Sequence, residues 1–262
     1  MKTRLLERDG VTLACVDSGG SGRSVVLVHG WCCDRSFFRP QFDHLVAAGH
    51  RAIALDLRGH GESDAPHGAY SMEVFTDDVA WCLRQLAVDR PVVVGHSMGG
   101  IISFDLAARY PDLASAIVMI DSAVVRSAGA LKAIGGICEK LAGPDRVAVA
   151  QNYVSSALFI ATDDPERKRD ILKRMGNAPA HVMLGAMEGL RDYDPSYARG
   201  RITVPSLFIM ADEPVPRSYM PGLLELAPQL MVGQTVGSGH FCQLEVPDQV
   251  NAMLDRFIKI SA

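Results

Sequence analysis

No apolar run in these 262 residues is long enough for a signal peptide or a membrane-spanning helix. The opening segment, "MKTRLLERDGVTLACVDSGG", instead carries charge at Lys2, Arg4, Glu7, Arg8 and Asp9. A cytoplasmic protein is the expectation. Basic clusters are missing as well. With 26 Lys and Arg against 30 Asp and Glu, the net charge is −4, which argues against nucleic acid or an anionic membrane surface as a partner. Cysteine is present but unpatterned. Cys15, Cys32, Cys33, Cys82, Cys138 and Cys242 form no C-x-x-C, and no histidine sits at metal-ligand spacing from a cysteine pair. They read as free thiols, with no metal and no cofactor expected. Repeats and low-complexity segments are also lacking. A small-molecule substrate is the partner these exclusions leave.

What is there is a hydrophobic content of 48% and a charged content of 21%, enough for one large α/β domain with room for an insertion. Apolar, β-branched runs alternate with amphipathic stretches. "VTLACVD" (11–17), "SVVLVHG" (24–30), "RAIALDL", "RPVVVGHS" and "ASAIVMID" (114–121) read as strands, the later ones fully buried. "FFRPQFDHLVAAG", "MEVFTDDVAWCLRQLAV" and "GIISFDLAARYP" between them have helical spacing. This alternation predicts a parallel, doubly wound sheet with helices on both faces.

The rhythm breaks after Asp121. From about 122 to 201 no buried-strand run occurs, only helix-like pieces separated by Asp163-Asp164-Pro165 and Asn177-Ala178-Pro179. The sheet resumes at "ITVPSLFIMA" (202–211), followed by a helix, the strand "LMVGQTVG" and a last helix. Residues 1–121 and 202–262 are therefore expected to form the core, and 122–201 an inserted helical lid.

The stretch "VVVGHSMGG" carries the chemistry. Gly95-His96-Ser97-Met98-Gly99 matches G-x-S-x-G where a strand must turn at once into a helix, the context this motif requires. Glycine two residues either side relieves the crowding of such a turn, and the helix N-terminus favours negative charge beside the serine. Ser97 is the expected nucleophile. Of eight histidines, His240 follows the last expected strand, at the carboxyl edge where open α/β sheets collect their sites. It is the expected base, and His29, His60 and His96 are read as structural. The amides of Trp31 and Met98 are the expected oxyanion hole.

Four ordered segments, "VVLVHGWCCDRSFFRPQ", "ALDLRGHGESD", "VVVGHSMGG" and "GSGHFCQLEVPDQV", resemble the α/β-hydrolase superfamily along nearly the whole chain except the lid. The resemblance implies an eight-stranded, mostly parallel sheet, a Ser-His-acid triad, and ester, lactone or related hydrolysis. The acid departs from the usual G-x-x-D-x-V, because the chain reads Met210-Ala211-Asp212-Glu213-Pro214-Val215. Asp121, at the end of the strand next to that of Ser97, is favoured over Asp212 and Glu213. Lactonases of the zearalenone-hydrolase type and cofactor-free quinolone dioxygenases are similar in drawing the acid from that strand end.

The expected function is hydrolysis of a small, partly apolar carboxylic ester or lactone through an acyl-enzyme. Cys32, Cys33, Phe37 and Met98 from the core, and Met183, Met187 and Leu190 from the lid, are the expected pocket. Cofactor-free oxygenation or C–C bond hydrolysis on the same fold is the alternative, although the dioxygenase segment "G-W-C-x-D" carries histidine where this chain has Cys33. A small-molecule receptor retaining the fold is the alternative of another class.

Overall fold

The computed structural model describes residues 2–261. Among these, the elements run β1 (Arg4–Arg8), β2 (Val11–Asp17), β3 (Ser24–Val28), α1 (Arg39–Ala47), β4 (Arg51–Leu55), α2 (Met72–Gln85), β5 (Val92–His96), α3 (Met98–Arg109) and β6 (Ala116–Ile120). Four helices follow without a strand: α4 (Ala128–Leu141), α5 (Arg146–Ala157), α6 (Pro165–Met175) and α7 (Ala180–Asp192). Then come β7 (Ser206–Met210), α8 (Met220–Leu226), β8 (Met231–Gln234), α9 (Cys242–Glu245) and α10 (Pro247–Ile260). One eight-stranded sheet results, in the order β1-β2-β4-β3-β5-β6-β7-β8. β1 and β2 pair antiparallel at one edge and the strands from β4 to β8 pair parallel.

β1 is absent from the strands read in the sequence, because "RLLER" has three charged residues in five. What makes it a strand is the turn after it. Asp9 (φ 52°) and Gly10 (φ 77°) are both left-handed, the backbone a two-residue hairpin needs, and Asp-Gly is the dipeptide that supplies it.

The central strands bury both faces. Val26 and Val28 of β3, Val93 of β5 and Ile117 and Met119 of β6 point into one core, with α2 and α3. Val25 and Leu27, Val92 and Val94, and Val118 and Ile120 point into the other, with Phe42 and Leu45 of α1 and Leu254 and Phe257 of α10. This period-two division of continuous apolar runs is how a parallel sheet hides both surfaces. β8, in contrast, is a largely exposed edge strand.

The segment between β6 and β7 keeps to the helical pattern. Ser127 caps α4 by accepting from the Ala130 amide at 3.2 Å, and Asp164, ahead of Pro165, caps α6 through the Arg167 amide at 2.8 Å. Among the described residues, no helix is long and apolar enough to cross a membrane.

Candidate active site

β5 runs straight into α3 with a single residue, Ser97, at the bend. Its backbone has φ 55° and ψ −117°, a conformation that costs a non-glycine residue about 1–3 kcal/mol and persists only where the surroundings impose it. Here they do. The Ser97 amide is tied to the Ile120 carbonyl of the neighbouring strand at 2.9 Å. A Cβ on Gly95 would run into the Gly99 carbonyl oxygen, and one on Gly99 into that of Val28. A Cβ on Gly100 would come within 2.6 Å of Ser122 Cβ. Only a chain bare at these positions can bring α3 so close to β3 and β5.

β6 ends beside this bend at Asp121, again left-handed (φ 42°). Its buried carboxylate meets three nitrogens. His240 Nδ1 donates to Oδ2 at 2.6 Å, Arg217 Nε donates to Oδ2 at 3.1 Å, and the Ala211 amide donates to Oδ1 at 3.2 Å. Burial pushes the Asp121 carboxyl above its ordinary range, opposed by the Arg217 cation and the Ala211 amide. Arg217 and the Ala211 amide can only donate, so with His240 Nδ1 protonated the carboxylate satisfies all three contacts.

His240 lies in the loop after β8. With Nδ1 carrying the proton toward Asp121, Nε2 is left with its lone pair. Burial, with the nearby Arg217 cation, holds this imidazole well below the ordinary histidine value, so it is neutral at pH 7 and able to accept a proton. His96 Nε2 donates to the His240 carbonyl at 2.8 Å and fixes the loop from below. His29 and His60 are held in the same structural way: His29 between Gly30 O and the Leu57 amide, His60 between Arg58 O and the Cys32 amide.

Ser97, His240 and Asp121 open onto one cavity of about 540 Å³, which Trp31 and Met98 also line. Gly30, two residues past β3, favours this close approach, since a Cβ there would lie 3.1 Å from Ser97 Cβ. The Trp31 and Met98 residues thus flank the serine from two strand ends.

A family model describing the α/β hydrolase fold matches residues 23–159. The chain belongs to the α/β-hydrolase family. Relatives share the architecture from end to end. The AB hydrolase superfamily protein YisY of Bacillus subtilis is 26% identical over 258 residues, 92% of this chain and 94% of that one. A thermophilic esterase from Thermogutta terrifontis superposes with a TM-score of 0.87 at 23% identity, covering 100% of this chain and 99% of that one. An enol-lactonase from Burkholderia xenovorans superposes with a TM-score of 0.84 at 24% identity, covering 98% and 100%.

Within this α/β hydrolase, Asp212 and Glu213 do not reach His240. Asp212 accepts from the Gly237 amide at 2.9 Å, and Glu213 accepts from Arg217 Nη2 at 2.6 Å. The expected pocket needs correction at three positions. Cys33, Met98, Met187 and Leu190 line the cavity, whereas Cys32, Phe37 and Met183 do not. Cys32 is left-handed (φ 54°) and gives its amide to His60 Nε2 at 3.2 Å, away from the cavity. Phe37 is buried against Phe241, with the Arg174 guanidinium over its ring at 4.3 Å. Met183 shares a helical stripe with Met187, but lies four residues, about 6 Å, nearer the start of α7. There its carbonyl accepts from the Trp31 indole at 3.0 Å, which ties α7 to the end of β3.

The sequence reading missed Arg126, Tyr153 and Arg217, all of which line the cavity. No local pattern signals them. Arg217 finds Asp121 across 96 positions of chain, and helical spacing does not mark the half-buried Tyr153 as different from any other helical aromatic.

Proposed function

We propose that this α/β hydrolase cleaves a small, partly apolar carboxylic ester or lactone through a covalent acyl-enzyme on Ser97. The observation that carries the reading is the 2.6 Å hydrogen bond from His240 Nδ1 to Asp121, with Ser97 held in its strained turn on the same cavity. Ser97 Oγ attacks the carbonyl carbon while its proton passes to His240 Nε2. The amides of Met98 and Trp31 take the negative charge that develops on the carbonyl oxygen. His240 then returns the proton to the departing alkoxide, leaving the Ser97 ester. A water molecule, deprotonated by the same imidazole, releases the acid and restores the serine. For a lactone the leaving alcohol stays attached to the acyl chain. Asp121 holds the imidazole in the productive tautomer, and the helices of 122–201 act as a lid whose apolar side chains meet the substrate.

Incubation with a fluorophosphonate followed by peptide mapping tests the covalent step. The expected result is a single adduct on Ser97, absent in Ser97→Ala. An adduct elsewhere, or undiminished ester turnover by Ser97→Ala, overturns the mechanism.

A further inference from the structure

The charged side chains around the cavity are unequally matched. Asp121, Glu213 and Arg217 interlock: Arg217 Nε donates to Asp121 at 3.1 Å, and its Nη2 donates to Glu213 at 2.6 Å and to the Ala157 carbonyl at 2.7 Å. Arg126, which lines the same cavity between the end of β6 and the start of α4, has no such partner. Its Nη1 donates to the carbonyls of Ala123 (3.2 Å) and Val124 (3.4 Å), and its Nη2 to the carbonyl of Tyr193, whose ring lies 5.7 Å from the guanidinium carbon. Every one of these acceptors is neutral. Among the described residues, no carboxylate lies within ion-pair distance of Arg126. Asp194, which acts on it from farther off, has its two oxygens on the Ser196 amide and hydroxyl.

A guanidinium has five N–H donors, and the three carbonyls leave two of them free. Nε is buried without a partner. Burial pulls the Arg126 cation below its ordinary value, whereas its two carboxylates hold Arg217 above. Even partial removal of a cation from water without a counter-charge is costly, and an apolar side chain would fill this place without that cost. The positive end of α4 adds to the imbalance. Its first turn has no acidic residue, and Ser127 and Ala130 of that turn line the cavity with Arg126. The cavity that holds Arg126 and Ser97 is otherwise lined largely by apolar side chains, including Ile101, Ile134, Met187 and Leu190.

We propose that Arg126, backed by the first turn of α4, binds a carboxylate on the substrate, so that the ester or lactone cleaved at Ser97 carries a second, anionic end beyond an apolar spacer. This rests on the Ser97 reading and narrows its substrate class. The guanidinium charge suits a carboxylate, and the second Nη2 hydrogen is the donor left to meet it.

The test compares two p-nitrophenyl esters of equal length, the hemi-ester of glutaric acid and that of its neutral monoamide. The quantity read is the ratio of their kcat/KM values within one preparation, so the amount of folded enzyme cancels. The wild type is expected to favour the carboxylate by about tenfold or more, chiefly through KM. Arg126→Gln should bring the ratio to near one, and Arg126→Lys should give an intermediate value. A wild-type ratio at or below one, or a ratio unchanged in Arg126→Gln, overturns the proposal. Glutarate itself supplies a readout independent of turnover. At millimolar concentration it should raise the melting temperature of the wild type but not of Arg126→Gln, and equal shifts in both, or none in either, count against the site. If the wild type hydrolyses neither ester and takes no fluorophosphonate, the Ser97 mechanism fails, and the glutarate shift still decides the anion site.

Discussion

The two walls of the cavity are built on different principles. On the sheet side, each candidate catalytic residue sits where the backbone has no freedom. Gly95, Gly99 and Gly100 are pressed against main chain and Ser122, Ser97 and Asp121 are both left-handed, and His240 is gripped by Asp121 and His96. On the side of α4–α7, residues such as Ala130, Ile134, Ile137, Leu158 and Leu190 meet the cavity through carbon alone. Chemistry that depends on tenths of an ångström belongs on the first wall, because a close-packed backbone cannot drift. Fit to a substrate belongs on the second, where one apolar side chain can replace another at modest cost.

That contrast predicts a steep gradient of mutational effects. Ser97→Ala and His240→Ala should each lower kcat by about four orders of magnitude or more, and the double variant should be little worse, since nucleophile and base act as a unit. Multiplying losses in the double variant, measured with one chromogenic ester, would break the assignment.

Asp121→Asn comes next, with an expected loss of roughly three to four orders of magnitude in kcat and the circular dichroism of the native fold retained. Asp212→Asn and Glu213→Gln should each cost less than about tenfold. If Asp212→Asn proves the crippling change, the sheet wall has been misread at its acid.

The helical wall should respond to substitution by changing preference rather than rate. Met187→Ala should shift the acyl-chain length giving the highest kcat/KM, by a factor of about three to ten. Met183→Ala, which removes a buried side chain outside the cavity, should leave that profile alone while destabilising the fold by about 2–5 kcal/mol in urea unfolding. An altered profile in Met183→Ala, with Met187→Ala silent, would reverse the two roles.

The smallest effect concerns pH. Because His240 is held below the ordinary value of about 6.5, it remains an unprotonated base in mildly acidic solution. kcat/KM at pH 6 should therefore stay above half its value at pH 7.5, where an unshifted histidine would retain roughly a quarter. The Arg217 cation disfavours the imidazolium, so Arg217→Gln should move the acid limb upward toward 6.5 and cost about two- to threefold at pH 6. A limb that stays put would show that burial alone sets the shift.

The same contrast governs what could be read in the sequence. Ser97, Asp121 and His240 were legible because each sits at a strand end marked by local constraint: small residues around the elbow, an apolar run ending at one aspartate, and a histidine just past the last strand. β1 was hidden by the charges of "RLLER", although the Asp9-Gly10 turn announced it. The pocket was only half legible. Helical spacing gives the face of α7 but not how far along that face the cavity extends, so Met187 and Met183 looked alike. Cys32 was misplaced because one left-handed residue redirects a loop, and no composition rule reports that. Arg126 and Arg217 stayed invisible because their meaning lies in which charges they meet, and which they do not, across long stretches of chain.

The helices between β6 and β7 have one further consequence, which concerns inheritance. They leave the sheet after Ile120 and return at Ser206 on the adjacent strand, where Ile117 pairs with Ser206 and Ile120 with Ile209 in unbroken register. The sheet therefore has no record of how long this excursion is. Closing so extended a connection, rather than a minimal crossover, costs under about 2 kcal/mol because loop entropy grows only with the logarithm of length. The whole insert can thus be lengthened, shortened or exchanged between lineages while Ser97, Asp121 and His240 keep their places. A single catalytic frame could in this way acquire new substrates by replacing one contiguous stretch of gene.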